Sequence, residues 1–216
     1  MRLRYKLPLI SAILLAAYLS ITAALAVICY PRPDVDVKES FARKMDIPGI
    51  ARAGKINENL YRGGVPRGEG FEALKKLGIK TVIDLHGFRK DPDYWNAIES
   101  LGLKYFSLLL KEDPPSEEMV EEFVSIVNNP DNHPVFYHCS RGKIRTGVML
   151  AVLRMRCEGW TNEDAFDEMQ YFGFNTFHRE TFFFGSCAVH TELAEFVRNY
   201  KPPAQEPQED NGPADR

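Results

Sequence analysis

His138-Cys139-Ser140-Arg141-Gly142-Lys143-Ile144-Arg145-Thr146-Gly147 follows a short apolar run, Val135-Phe136-Tyr137, and leads into a stretch of helical periodicity from Thr146 to Cys157 closed by Gly159. A buried strand that turns straight into a helix start points successive backbone N–H groups into the turn. The positive end of the helix dipole adds to them, so the turn is a nest for an anion. Cys139 stands at the entrance of this nest and Arg145 six positions further on, a Cys-x5-Arg spacing. Nest, dipole and Arg145 all favour thiolate over thiol, which makes a nucleophile available near neutral pH. The Arg145 fork can grip two phosphoryl oxygens in parallel, and Thr146 can offer its hydroxyl to the sulfur. Ser140, Arg141, Gly142, Lys143 and Ile144 line the turn and, with Arg145, are the expected phosphate-binding residues. Gly142 and Gly147 permit a tight backbone. His138 is expected to act as a hydrogen-bonding neighbour of the cysteine, not as a base or a ligand. In-line attack of sulfur on phosphorus needs positioning and charge neutralisation, and no metal or cofactor.

Outward from this loop, strand-like and helix-like stretches alternate. Leu60-Tyr61-Arg62 reads as a short strand, Gly68 to Leu77 as a helix, Thr81 to Leu85 as a buried strand, Pro92 to Leu101 as a helix and Tyr105 to Leu110 as a strand. Ser116 to Asn128 is a helix whose Met119, Val120, Phe123, Val124 and Val127 keep 3.6-residue spacing, with Ser116 as N-cap. Thr161, with Asp164 three residues on, opens another helix, and the last covers about Ala188 to Tyr200. Strands separated by helices imply right-handed crossovers. The expected fold is therefore α/β, a mainly parallel central sheet flanked by helices on both faces.

His-Cys-x5-Arg followed by Thr resembles the protein tyrosine phosphatase superfamily, specifically its dual-specificity branch. The similarity extends over about residues 56 to 185, through Asn59-Leu60-Tyr61-Arg62-Gly63-Gly64, Gly78 to Leu85 and Gly159-Trp160-Thr161. These stretches look like the atypical bacterial and plant-fungal members, which are compact and often lack the loop that deepens a phosphotyrosine pocket. The resemblance implies a general acid on the loop after the strand preceding the catalytic one. Lys111-Glu112-Asp113-Pro114-Pro115 occupies that place, and Asp113 is the choice, with Glu112, Asp91, Asp93 or no strong acid as alternatives. Asp before Pro is also an ordinary turn opener.

The ends of the chain have a different character. Leu7 to Tyr30 is a run of 24 residues without a charged side chain, preceded by Arg2, Arg4 and Lys6. At ~1.5 Å per residue a helix of this length spans a bilayer. Ala24-Leu25-Ala26 fits a signal-peptide cleavage site, but the apolar run is longer than an h-region, which favours an uncleaved anchor. The domain organisation is then an anchor or signal peptide over 1–30, a linker over 31–55, a phosphatase-like domain over 56–200 and a disordered tail over 201–216. Arg2, Arg4 and Lys6 with no acid among them outweigh Lys38, Arg43 and Lys44, which lead into a folded domain, and place the domain across the membrane from the N-terminus, periplasmic in a bacterium.

Other classes fit poorly. With 27 basic and 30 acidic residues the net charge is −3, so no global field attracts nucleic acid. Cys29, Cys139, Cys157 and Cys187 form no C-x-x-C pair. Cys157 and Cys187 read as small core residues, either of which could trap an oxidised Cys139. Gly142-Lys143 is not a Walker loop, because Ile144 stands where Ser or Thr would hold Mg²⁺. Gly68-x-Gly70-x-x-Ala73 reads as a turn and helix start, not a dinucleotide fingerprint. His86, His133, His178 and His190 have no ligand spacing. Phe172, Phe174, Phe177, Phe182, Phe183 and Phe184 read as core and pocket wall.

The expectation is a membrane-anchored, metal-independent cysteine phosphatase acting on a phosphoprotein, an inositol phosphate or a phospholipid headgroup. A phosphate-binding pseudophosphatase and a rhodanese-like sulfurtransferase are the alternatives. The partners expected are the phosphorylated substrate and the membrane, with no nucleic acid.

Overall fold

Four parallel strands carry the centre of the molecule: β3 (Leu60–Gly64), β4 (Thr81–Asp84), β5 (Lys104–Ser107) and β6 (Val135–Cys139). Two short antiparallel strands, β1 (Arg43–Lys44) and β2 (Gly54–Asn57), extend the edge beyond β3, giving the order β1-β2-β3-β6-β4-β5. This computed structural model describes residue 15 and residues 36–87, 90–111, 113–174 and 189–203. The chain divides into two compact units, 1–34 and 35–216, and every element named here belongs to the second.

β6 sits centrally, paired with β3 on one side and β4 on the other, and is buried along its whole length. That explains why Val135 to Tyr137 reads as an unbroken apolar run instead of alternating. Helices cover both faces. Leu74 of α1 (Glu69–Lys76) and Tyr94 and Ile98 of α2 (Pro92–Ser100) pack with Val82 and Phe136 on one side. Phe123 and Val127 of α3 (Glu117–Asn128) and Met149, Leu150 and Leu153 of α4 (Arg145–Cys157) pack with Ile83 and Tyr137 on the other. Outside α4, Phe166 and Met169 of α5 (Asn162–Tyr171) and Leu193 and Val197 of α6 (Val189–Asn199) close a second apolar layer. α4 thus lies between the sheet and other helices, and Thr146 to Met155 are buried without a break. A helix enclosed on all sides is apolar all round. Ser116 and Thr161 cap α3 and α5 as their spacing indicates, accepting from Met119 N and Asp164 N.

Three expectations need correction. The linker does not run to residue 55, because the domain begins at Phe41. The Phe41 ring stacks on Trp160 at 5.9 Å and meets Tyr171 at 5.7 Å, and Ala42 N donates to Glu168 Oε1 at 2.6 Å. Burying one such ring stabilises by roughly 1.5–3 kcal/mol, enough to dock the segment that leads into β1. Secondly, β5 ends at Ser107, not Leu110, because its one neighbour β4 stops at Asp84 and leaves nothing further to pair. Thirdly, Cys157 is exposed at the far end of α4 and is not a core residue. Thirteen residues of helix put it ~20 Å from the Cys139 end, too far for the ~6 Å Cα separation of a disulfide.

Among the described residues no helix is long and apolar enough to cross a membrane. The expected anchor, apart from Leu15, lies outside the described residues. So do Cys187, Phe177, Phe182, Phe183, Phe184 and the tail beyond Pro203.

Candidate active site

β6 ends at Cys139 and α4 begins at Arg145, and the residues between them fold into a ring at the C-terminal end of the parallel strands. Outside the C-terminal ends of parallel strands is where α/β sheets hold their ligands. The carbonyl groups of the ring are taken from outside. Ser140 O accepts from Val65 N at 3.3 Å, Arg141 O from Arg52 Nη1 at 3.2 Å, and Gly142 O from Arg62 Nη2 at 2.6 Å. With carbonyls facing out, N–H groups face in. The turn requires glycine at 142, where φ is 64° and a Cβ would lie 2.4 Å from Gly63 C and 2.5 Å from Gly64 N.

Cys139 is buried at the floor of this ring. Burial pushes its thiol up, but hydrogen bonds from the Thr146 hydroxyl and from the backbone N–H groups of Thr146, Arg141 and Lys143 outweigh it. The net result is a thiol held below its ordinary value. Thr146 Oγ1 also lies 3.4 Å from Gly63 O, a long contact beside which an ionised sulfur is the better acceptor.

His138 is fully buried behind the cysteine, stacked on Phe136 at 5.7 Å. Its Nδ1 is 3.3 Å from Cys139 O and its Nε2 2.8 Å from Tyr94 Oη. A carbonyl can only accept, so Nδ1 carries the proton and Nε2 receives the Tyr94 hydroxyl. Burial holds the ring down at about 4, hence neutral. Its ring thus bridges the Cys139 carbonyl and the Tyr94 hydroxyl behind the cysteine.

The sequence did not disclose His86. Asp84 closes β4 by accepting from His86 N at 2.8 Å and Gly87 N at 3.0 Å on one oxygen and from Tyr105 Oη at 2.8 Å on the other. This turn presents His86 Nδ1 to Arg145 Nη1 in a short contact. Burial, then the Arg145 charge, lowers His86 and keeps it a neutral acceptor. Arg145 Nε lies 3.4 Å from Lys111 O. Arg145 is therefore steered by two loops remote in sequence. The Asp-x-His-Gly turn at the end of a central strand was the one available signal.

Through Lys111, the loop carrying Asp113 borders the ring at Arg145. Asp113 itself is exposed, and Glu112 is outside the described residues. Asp91 is engaged as the cap of α2, accepting from Asp93 N at 3.1 Å and Tyr94 N at 3.4 Å, and Asp93 is exposed in the first turn. A basic rim surrounds the ring. Lys143 is half-buried and lowered by burial and by Arg52 and Arg141, and Lys44 by burial and by Arg52 and Arg62. Mutually repelling cations around a nest of N–H groups make a strong anion site.

A strand, a cysteine ring and a helix in this order, with arginine at the sixth position and threonine behind it, are the phosphate loop of the protein tyrosine phosphatase superfamily, in its atypical dual-specificity form. More narrowly, the chain belongs to the family described as DSP-PTPase phosphatase fused to NAD+ kinase, which matches residues 47–184. It is 29% identical over 120 residues to the inositol diphosphatase DSP3 of Arabidopsis thaliana, covering 53% of this chain and 59% of that protein. The probable tyrosine-protein phosphatase DG1060 of Dictyostelium discoideum is 31% identical over 124 residues, covering 55% of this chain and 74% of its own length. In fold, the chain is similar to the core catalytic domain of the PP-IP phosphatase SIW14 from S. cerevisiae. The TM-score is 0.59 at 22% identity, over 72% of this chain and 89% of that one.

Proposed function

We propose that this chain is a metal-independent cysteine phosphatase that works through a phosphocysteine intermediate. The observation that carries the proposal is the buried Cys139 sulfur at the floor of the ring, which accepts from the Thr146 hydroxyl and three backbone N–H groups. In this reading the Cys139 thiolate attacks phosphorus in line, and the bond from phosphorus to the leaving oxygen breaks as Asp113 protonates that oxygen. Water, deprotonated by Asp113, then attacks the phosphocysteine, releasing phosphate and restoring the thiolate. Ring N–H groups and Arg145 neutralise the equatorial oxygens throughout, a task that in other phosphatases falls to metal ions. A multiply phosphorylated small molecule such as an inositol phosphate suits the rim of Arg52, Arg141 and Lys143, and the inositol diphosphatase name of the Arabidopsis relative supports it. A phosphoprotein is the alternative substrate. The run from Leu7 to Tyr30 would tether the domain to a membrane, with the domain on the side opposite the N-terminus.

The full chain in detergent should hydrolyse an aryl phosphate in the presence of a chelator and be blocked by vanadate. Cys139→Ser should abolish turnover, since a serine hydroxyl is not ionised at neutral pH, and activity persisting in that variant would sink the mechanism. Arg145→Lys should fail as well, through loss of the bidentate fork. Asp113→Asn should slow alkyl phosphates ~10²–10⁴-fold and aryl phosphates least. Protease added to intact cells or spheroplasts tests the topology, which protection of the domain would reverse.

A further inference from the structure

Arg62 points from β3 to the same face of the sheet as Leu60 and has no solvent exposure. Its Nη2 donates to Gly142 O at 2.6 Å, and its guanidinium lies 4.0 Å from the centre of the Phe172 ring. Its Nε and Nη1 are buried with no hydrogen-bond partner among the described residues. No carboxylate there lies within ion-pair distance. Glu168, the carboxylate whose charge bears on Arg62, is already committed to Arg154 Nε and Nη2, each at 2.9 Å, and to Ala42 N. The buried Tyr137 phenol is pushed up by burial and stays neutral. A guanidinium with such surroundings still carries its charge. Burial disfavours that charge by several kcal/mol unless an anion compensates it. β3 lies beside β6, with Arg62 opposite Tyr137 and Gly64 opposite Cys139, and Gly142 belongs to the ring around the sulfur, so the Cys139 thiolate is an anion in the field of Arg62 that makes no ion pair among the described residues.

We propose that Arg62 is the fixed counter-cation of Cys139, a positioning residue that holds the Gly142 carbonyl outward and, from behind the ring, keeps the sulfur ionised. The inference rests on the thiolate reading given above. It assigns a division of labour. Arg145 approaches from the open side, where a neutral His86 and the Lys111 carbonyl guide it, and serves the phosphoryl oxygens. Arg62 approaches from the closed side and serves the sulfur. Among the described residues, the other titratable and charged groups facing the sulfur's surroundings are Arg141 and Lys143 in the ring, Asp84 and His86 at the end of β4, Tyr137 and His138 on β6, the Arg154–Glu168 pair between α4 and α5, and Lys44 and Arg52 before β3. Of the cations among these, Arg154 is neutralised by its own acid partners, while Lys44, Arg52, Arg141 and Lys143 are closer to solvent, where screening weakens them.

The test is the pH dependence of iodoacetamide alkylation at Cys139, read on its own peptide by mass spectrometry, in the full chain in detergent. Wild type is compared with Arg62→Gln, which stays polar but is neutral, with Arg62→Met, and with Arg62→Lys, which keeps the charge. Both neutral variants should move the alkylation midpoint up by about one pH unit, ~10-fold less thiolate below the midpoint, and should weaken vanadate binding. Arg62→Lys should stay near wild type. An unmoved midpoint in a folded neutral variant would overturn the proposal. Failure of both neutral variants to fold would also overturn it, because Arg62 would then be a structural group of the ring and not a counter-cation for the sulfur. A wild-type Cys139 that alkylates only around pH ~8.5 and above would instead defeat the thiolate reading itself.

Discussion

Two arginines are buried among the described residues of this domain, and they are buried for different reasons. Arg154, in α4, is surrounded by partners: Glu168 takes two of its N–H groups at 2.9 Å, Glu158 a third at 2.6 Å and Ser40 O a fourth at 3.3 Å, with the Trp160 ring 4.4 Å away. Arg62 has one carbonyl and one aromatic face. The first is a fully satisfied network that ties Ser40 and Ala42 to α4 and α5, and so fixes where the domain begins. The second has its charge left over and is bonded to the ring that surrounds Cys139. Saturation marks a structural arginine and incompleteness a functional one, and equal burial conceals the distinction.

The largest effect that tests this contrast is on stability. Arg154→Met should destabilise by about 3–5 kcal/mol, since it leaves the Glu168 carboxylate buried without its counter-charge. Turnover per folded molecule should stay close to wild type at low temperature. Pairing it with Glu168→Leu should recover much of the loss, because replacing both ions with apolar groups removes two desolvation costs together. Denaturant melts of the single and double variants measure both. Arg62→Met should do the reverse, losing little stability, because the lost bond to Gly142 O is offset by removal of an unpaired buried charge, while lowering turnover about tenfold below the alkylation midpoint. If the two arginine variants behaved alike in melts, the contrast would be false.

A second effect is on pH dependence. His138 is held down at about 4 against an ordinary 6.5, so the unfolded chain binds a proton that the folded one refuses between those values. Stability contributed by the neutral ring is complete above pH 6.5 and is lost as pH falls towards 4. His86, also lowered, adds in the same direction. His138→Gln should therefore flatten the fall of Tm between pH 6.5 and 4, leaving the part due to His86. A curve as steep as wild type would mean that His138 is already charged in the folded domain.

A smaller effect lies at Arg145. His86→Phe keeps a ring but removes the acceptor for Nη1, and should lower kcat/KM about tenfold, the scale of one hydrogen bond to a charged group. Its Tm should hardly change. If kcat/KM did not move, the contact with His86 would not be steering the arginine.

These tests bear on residues of uneven legibility. Periodicity disclosed α1 to α6, and chemistry disclosed the caps Ser116 and Thr161 and the ring from Cys139 to Thr146, because each of those signals is local. Arg43-Lys44 and Gly54-Lys55-Ile56-Asn57 have no alternation, so β1 and β2 were invisible and the linker was drawn too long. Their pairing is decided by β3 and by the docking of Phe41, neither of which leaves a mark in the six residues. Arg62 is preceded by Leu60-Tyr61 and reads only as a strand residue. Its burial depends on Gly142, 80 positions away, and on Phe172. His86 likewise meets Arg145 only once β4 and β6 lie side by side. Asp113 stays an assignment from loop position, since no geometry links it to the sulfur.

The smallest expected effect sharpens the same contrast from the helix that carries Glu168. Thr161 accepts the Asp164 N–H at 3.1 Å and so caps α5, in whose middle Glu168 faces Arg154. Thr161→Ala should cost about 1 kcal/mol, the usual worth of such a cap. If Arg154, Glu168 and the helix start act as one structural unit, this loss and that of Arg154→Met should be less than additive, because a helix already loosened around a bare Glu168 has less to lose from its cap. Combined with Arg62→Met, Thr161→Ala should add in full, the two sites sharing no hydrogen-bond partner. Melts of the two double variants compare these couplings directly. Full additivity with Arg154→Met would detach the cap from the buried pair and leave Arg154 anchored by side chains alone.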